Sequence, residues 1–321
     1  MKRVVVLVTF AAALGTSGCR QHHEPASAPT KTTAPSDPAT TSGAMSGAAT
    51  APQLGNRVEL LAHPLLWSAA KDGKVTYFLG TMHVGIDAEA RLPALVWGKL
   101  DAARVFAMEA DLDDPQAAAA TQPTAGSLRQ ALGETYWRKL EAAMGPNVAS
   151  TVEHLPPMVP AAALSMRGLP STPAMDKVLS ARAVSEHKPV IFLEPAARQL
   201  AILGKWLDVK ALKMMLDELP TGEQRVHAML AAYAEGDERK LLAISDDEKA
   251  DALQHGYTEG EYEQEMNDVL YSRNASWIAA IDQLHADGGG FVAVGALHLL
   301  GPRSVLDLLA HKGYQVTRLT P

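Results

Sequence analysis

From about Leu54 onward, short apolar runs alternate along the chain with segments in which apolar residues recur at helical spacing. Such alternation is typical of strand–helix–strand units and predicts an α/β fold, with a mostly parallel central sheet flanked by helices. The apolar runs predict strands at residues 75–79, 104–108, 189–193, 291–294 and 315–319, and a segment at 60–67 predicts a hairpin partner for the first of them.

The segments with helical spacing fall between these strands. They predict helices at residues 91–102, 127–143, 157–166, 174–186, 196–206, 209–216, 223–234, 259–286 and 303–311. The whole span between Leu193 and Phe291 therefore reads as helical, which makes a long excursion between two later strands. This excursion either caps the strand ends or packs as part of one continuous domain.

The first 53 residues differ in character from the rest. Residues 1–19 predict an export signal, because basic residues precede a short apolar stretch and a small-residue segment. Cys19, the only cysteine in the chain, follows at once, as in a bacterial lipoprotein signal in which the cysteine is acylated. Residues 20–53 are built of Ala, Pro, Thr, Ser and Gly and predict a disordered tether. Residues 54–321 remain as the folded domain.

These features predict the cellular location of the protein and its binding partners. We expect a lipid-anchored protein at the periplasmic face of a bacterial envelope membrane, or a secreted protein if Cys19 is not acylated. The chain of 321 residues is 47% hydrophobic and carries a formal net charge of -7. It is long enough to form a full hydrophobic core. It has no excess of basic residues that would bind phosphates, so we do not expect a nucleic-acid partner. The expected partners are a peptide or small-molecule substrate and, through the lipid, a membrane.

Two segments carry the same Gly-x-x-His pattern, at residues 80–83 and 295–298, and each follows an apolar run that reads as a buried strand. Glycine lets a chain turn sharply where a strand ends. Ligands of open α/β sheets bind outside the carboxyl ends of the strands. The repeated pattern therefore predicts that His83 and His298 face one shared site.

Two carboxylates occupy similar positions, since Glu109 and Glu194 also lie at the end of predicted strands. Two imidazoles with one or two carboxylates form an adequate ligand set for Zn, Mn, Co or Fe with a position open for water. A bound divalent ion would activate that water for hydrolysis, and the spare carboxylate could serve as general base. Arg273 and Asn274, in a predicted helix, could bring a guanidinium to an anionic substrate group or to Glu109.

Other uses of the same residues stay open. One histidine could act as the base without any metal, or the set could bind a ligand without turning it over. Each residue also has a structural interpretation: a histidine after a glycine can cap a helix. Glu194 followed by Pro195 can mark the start of a helix, with the proline in its first turn.

The chain resembles the TraB/GumN family, relatives of the Tiki metalloproteases, over about residues 60–319. The resemblance rests on the two Gly-x-x-His segments with their preceding apolar runs, on Gly313-Tyr314 near the end, and on Glu109, Leu193-Glu194 with Gln199, and Arg273-Asn274 with Trp277 between them. Ala174-Met175-Asp176 stands where the family has Gly-hydrophobic-Asp, and Pro195 stands where it has a small polar residue.

The resemblance implies an α/β fold shared with erythromycin-esterase-like and ChaN-like proteins. For the Tiki branch it implies a divalent-metal-dependent peptidase. Carried over to this sequence, His83, His298 and Glu109 would be metal or catalytic positions, with Arg273 and Asn274 in support, and Asp176 would face the site. From its place at a strand end, we also expect Glu194 to be a catalytic carboxylate. Arg273 or Asn274 would steady the developing oxyanion.

The sequence thus predicts a membrane-tethered envelope lipoprotein with divalent-metal-dependent, peptidase-like hydrolase activity. The alternative is a non-catalytic lipoprotein that binds a metal, haem or a peptide in the same cleft.

Overall fold

The computed structural model describes residues 59–111 and 113–321. The predicted signal, the predicted acylation site Cys19 and the predicted tether at residues 20–53 lie outside the described residues. The chain folds around one six-stranded mixed sheet. Its strands are β1 (Leu66–Lys71), β2 (Lys74–Thr81), β3 (Phe106–Met108), β4 (Val190–Phe192), β5 (Phe291–Gly295) and β6 (Gln315–Leu319).

The strand order is β4-β3-β5-β2-β1-β6. The four strands from β4 to β2 are parallel, so their carboxyl ends meet at one edge. β1 runs antiparallel to both β2 and β6, as the predicted hairpin requires. The α/β fold with a mostly parallel sheet is thereby confirmed, although the hairpin strand begins at Leu66 and not at residue 60.

Helices surround this sheet. In chain order they are α1 (Ala88–Arg91), α2 (Ala94–Ala102), α3 (Pro115–Ala118), α4 (Leu128–Leu132), α5 (Glu134–Met144), α6 (Pro146–Val152), α7 (Met158–Ser165), α8 (Met175–Ser185), α9 (Ala196–Trp206), α10 (Val209–Asp217), α11 (Leu219–Glu235), α12 (Glu238–Gln254), α13 (Glu259–Met266), α14 (Ser272–Ala286) and α15 (Val305–His311). The predicted helical excursion is present as α9 to α14, between β4 and β5.

Two predicted helices are interrupted. The helix predicted at 127–143 breaks at Gly133, whose φ of 77° is left-handed and separates α4 from α5. The helix predicted at 259–286 contains one π-helical turn, Asn267–Tyr271, between α13 and α14. Such turns are frequent at functional sites. This one lies directly before Arg273.

The core lies between the sheet and its helices. The central strand β5 is completely covered, and Phe106 and Phe291 on neighbouring strands stack with their ring centroids 6.3 Å apart. A parallel strand flanked on both faces by helices is expected to be apolar throughout, as this one is. Within the described part of the chain, no helix has the length and apolar character needed to cross a membrane.

Candidate active site

Four polar residues follow the carboxyl ends of the four parallel strands. His83 comes two residues after β2, Glu109 directly after β3, and Glu194 two residues after β4, while His298 lies in a short 3₁₀ turn after β5. All four are at most 5% exposed. The structure therefore brings the two histidines and two carboxylates singled out in the sequence to one edge of the sheet. This is where α/β sheets bind ligands.

The two Gly-x-x-His segments pack directly against each other. A side chain at Gly80 would lie 3.1 Å from Cα and 3.3 Å from Cβ of Ala296 in the second segment, so the first glycine permits a close approach of the two turns. Gly295 has φ -50° and donates its backbone N–H to Glu109 Oε1 at 2.7 Å. Neither glycine has a left-handed backbone. Gly80 allows the close approach of the two turns, and Gly295 supplies a buried backbone amide to Glu109.

Arg273 is the centre of a buried ionic cluster. Its guanidinium donates from Nη2 to Glu109 Oε2 at 2.7 Å and from Nε to Glu194 Oε1 at 2.7 Å, with a further Nη2 contact to the same Glu194 oxygen at 2.5 Å. Nη1 donates to the carbonyl of Val269, within the π-helical turn, at 2.9 Å, and to His298 Nε2 at 3.1 Å. Arg273 is fully buried, and each of its three nitrogens donates at least one hydrogen bond to these acceptors.

The contacts of His298 determine which of its nitrogens carries the hydrogen. Arg273 has only donors, so Nε2 of His298 accepts, and Nδ1 donates to Asn274 Oδ1 at 2.6 Å. The Asn274 amide in turn donates to the carbonyl of Arg303 at 2.9 Å, and the Trp277 ring lies 4.6 Å from the His298 ring. Burial first and the Arg273 charge second lower the pKa of His298 to about 3, so its ring is neutral.

Glu109 is held as a carboxylate by donors on every side. Besides Arg273 and the Gly295 amide, Gln199 on α9 donates to Oε2 at 2.9 Å. Burial alone would raise the pKa of this carboxyl, but the charges of His298, Arg273 and His83 and then the Gly295 amide together lower it to about 2. Burial raises the pKa of Glu194 more than Arg273 lowers it.

His83 belongs to a second group of contacts. Its Nδ1 is hydrogen-bonded to Oδ2 of Asp176 at the start of α8, and Oδ1 of the same carboxylate accepts from Thr81 Oγ1 at 2.8 Å. Burial lowers the pKa of His83, but the charge and hydrogen bond of Asp176, with the charge of Glu109, raise it above the ordinary 6.5. His83 is therefore the more basic of the two histidines.

A divalent ion does not fit this arrangement. The Nε2 of His298 and both oxygens of Glu109 already accept N–H groups, and the guanidinium of Arg273 supplies the positive charge among them. Within residues 59–111 and 113–321, no group of three or more His, Cys, Asp or Glu side chains is arranged to hold a metal ion. The ligand set of His83, His298 and Glu109 stays a prediction, and it requires Arg273 to leave its partners.

The predicted role of Arg273 or Asn274 in stabilising an oxyanion requires donors that are already used in hydrogen bonds. All three nitrogens of Arg273 donate hydrogen bonds within the cluster, and Asn274 uses Oδ1 and one amide hydrogen on His298 and Arg303. Arg273 instead takes the alternative that the sequence allowed, a bond to Glu109. Pro195 precedes α9 as its N-cap, outside the first turn.

Some residues of this cluster could not be found from local pattern. Tyr233 on α11 donates its hydroxyl to the carbonyl of Gly80 at 2.8 Å, across 153 positions of sequence, and no motif marks it. Asp176 was indicated only by the family resemblance. Ala174, where the family has glycine, has φ -58° and ψ 132°, a backbone conformation that alanine adopts without strain.

Comparison with known proteins agrees with the resemblance. At 26% identity over 246 residues, the chain is similar to the uncharacterized protein YbaP of Shigella flexneri, with 73% of this chain and 87% of that protein covered. The uncharacterized protein YbaP of Escherichia coli strain K12 is similar at 26% over 245 residues, with the same coverage. No solved structure gives a significant match. The model of the TraB/PrgY/GumN family matches residues 65–318, which include every residue of the cluster and the whole sheet except Leu319, and the chain therefore belongs to this family.

Proposed function

We propose that the protein is a hydrolase that cleaves an amide bond of a peptide, with His83 as the general base that activates water. The observation that carries this proposal is the pair of His83 and Asp176 at the carboxyl edge of the sheet. A carboxylate on Nδ1 fixes the tautomer of an imidazole and leaves Nε2 as the nitrogen that takes a proton. It also stabilises the imidazolium that forms when the proton arrives.

The other titratable groups suit this role less well. A base works best when its pKa lies near the operating pH. The pKa of Glu109 is about 2 and that of His298 about 3, so each has little driving force to take a proton from water. Their lone pairs are also occupied by Arg273 and the Gly295 amide. Asp176 and Glu109 raise the pKa of His83 above its ordinary value, so His83 has a stronger tendency than Glu109 or His298 to take a proton.

In this proposal the ionic cluster has a positioning role. Arg273 keeps Glu109 ionised beside His83, and the Glu109 charge contributes to the raised pKa of the base. The peptide as substrate follows from the peptidase branch that the sequence resembles. We further propose that Cys19 is acylated, so that the hydrolase acts from an envelope membrane.

The test is hydrolysis of a peptide library after removal of metal. We expect the full-length protein to cleave a subset of peptides after treatment with chelator and gel filtration, with rates unchanged within about twofold when Mn, Co, Zn or Fe is added back, because His83 and not a metal activates the water. Fluorogenic peptides and mass spectrometry of the products would measure this.

The same experiment distinguishes the alternatives. Activity that chelator abolishes and one metal restores would contradict the metal-free scheme and favour the ligand set His83, Glu109 and His298. Stoichiometric binding of peptides without any cleavage would indicate the non-catalytic binding lipoprotein.

A further inference from the structure

Three buried polar atoms within the cluster have no hydrogen-bond partner: Oε2 of Glu194, Oε1 of Gln199 and Nε1 of Trp277. Each residue is at most 4% exposed. A buried polar atom without a partner destabilises the fold, so such atoms usually bind a ligand or an ordered water. All three residues contact Glu109, Arg273 or His298 through their other atoms. They therefore belong to the candidate active site.

The orientation of the Gln199 amide is fixed by its neighbour. Its Nε2 donates to the Glu109 carboxylate at 2.9 Å, and a flipped amide would turn an oxygen toward that carboxylate. The unpartnered atom of Gln199 is therefore an acceptor, like that of Glu194. The third atom, on Trp277, is a donor.

The cluster is negatively charged, and both this charge and its unpartnered acceptor oxygens favour a cationic donor group. Glu109 and Glu194 share the single guanidinium of Arg273, so the three side chains carry a formal net charge of -1. A ligand group with a positive charge and several N–H donors complements both the charge and the two acceptors. An ammonium group has both properties. The Trp277 donor suits a carbonyl oxygen next to that ammonium.

One partly exposed residue, Arg198, lies close to the unpartnered oxygen of Glu194. Arg198 is 40% exposed and places Nη1 3.8 Å from the unpartnered Glu194 oxygen, while the same Nη1 donates to Ser276 Oγ at 3.0 Å. The separation from Glu194 is too long for a hydrogen bond. Arg198 is thus a partly exposed cation close to the buried acceptor, and an incoming ammonium group would compete with it.

We propose that Glu194 and Gln199 form a subsite for the free amino group of the substrate, so that the hydrolase acts on peptides with an unblocked amino terminus. This inference rests on the proposed function and names its substrate class. Arg198 covers the subsite in the absence of substrate and opposes amine binding by charge repulsion.

The test measures binding separately from turnover, by calorimetry on the full chain with His83→Asn as background. The probes are trialanine amide and its N-acetyl form, which differ only in the amino group. We expect the free amine to bind about tenfold tighter or more, since a hydrogen bond to a charged group contributes about 1.5–3 kcal/mol. Glu194→Gln, which puts an amide N–H where Oε2 lies, is expected to remove this preference.

Arg198→Gln provides the second variant, because it changes an exposed residue and leaves the core intact. It is expected to strengthen binding of the free amine several-fold and to leave the acetylated probe unchanged. Equal affinity for the two probes, no binding of either up to millimolar concentration, or an equal loss of both in Glu194→Gln would overturn the subsite. Peptide hydrolysis with no amine preference would overturn this inference alone. An amine preference without hydrolysis would support the subsite and count against the proposed reaction.

Discussion

Replacing His83 with asparagine is expected to lower kcat/KM for peptide hydrolysis by about 10²–10⁴-fold, the range that a general base contributes. Asparagine retains an N–H that can donate to Asp176 Oδ2, so the local hydrogen bond persists while the titrating nitrogen is lost. Initial rates with the best peptide from the library would measure the effect. The melting temperature should stay within a few degrees of the wild-type value.

His311→Ala is the matched control, because His311 is a histidine whose side chain is 76% exposed and lies outside the cluster. Its activity should equal that of the wild type. Retention of more than about a tenth of the activity in His83→Asn would remove His83 as the base and leave the proposed mechanism without its central group.

Replacing Arg273 with methionine is expected to destabilise the fold by about 3–5 kcal/mol, because it leaves two buried carboxylates without their shared counter-charge. Glu109 and Glu194 are each 4% exposed and both bond to this guanidinium. The loss would be measured as the free energy of unfolding in urea at pH 7. It corresponds to a fall in melting temperature on the order of 10 °C.

Arg198→Met serves as the comparison for Arg273, since its guanidinium lies 3.8 Å from Glu194 but is 40% exposed. A partly exposed ion pair of this kind contributes about 0.2–1 kcal/mol. A loss below about 1 kcal/mol in Arg273→Met would mean that the carboxylates do not depend on Arg273, and the positioning role assigned to it would be wrong.

The sequence pattern predicted the limits of helices and strands well where residues within or beside the element set those limits. The strand at 315–319 and the helix at 196–206 have the predicted limits, because their hydrophobic periodicity and flanking residues are local signals. The helix at 127–143 was predicted as continuous because Leu132 and Trp137 keep an apolar face across Gly133. The left-handed φ of that glycine depends on how α4 and α5 pack, which the pattern does not record.

For the site, the sequence supplied positions but not partners. Four residues at strand ends could be placed at one edge because parallel strands share that edge. Which donor meets which acceptor depends on contacts between residues far apart in sequence, such as Tyr233 with Gly80 and Arg273 with Glu109. For the same reason, the sequence could not show that the guanidinium of Arg273 lies among the predicted metal ligands.

The pH dependence of kcat/KM for the wild type and Asp176→Asn is the decisive measurement of whether the His83–Asp176 pair is the general base. The neutral form of His83 is the base, so the rate should rise with pH through a midpoint above 6.5, the direction in which Asp176 and Glu109 move its pKa. Loss of the Asp176 charge leaves burial and Arg273 to lower that pKa, so the midpoint in Asp176→Asn should move to lower pH, with a smaller maximal rate. A midpoint that is the same in both proteins, or a rate that falls as pH rises through this range, would contradict the assignment of the His83–Asp176 pair as the general base.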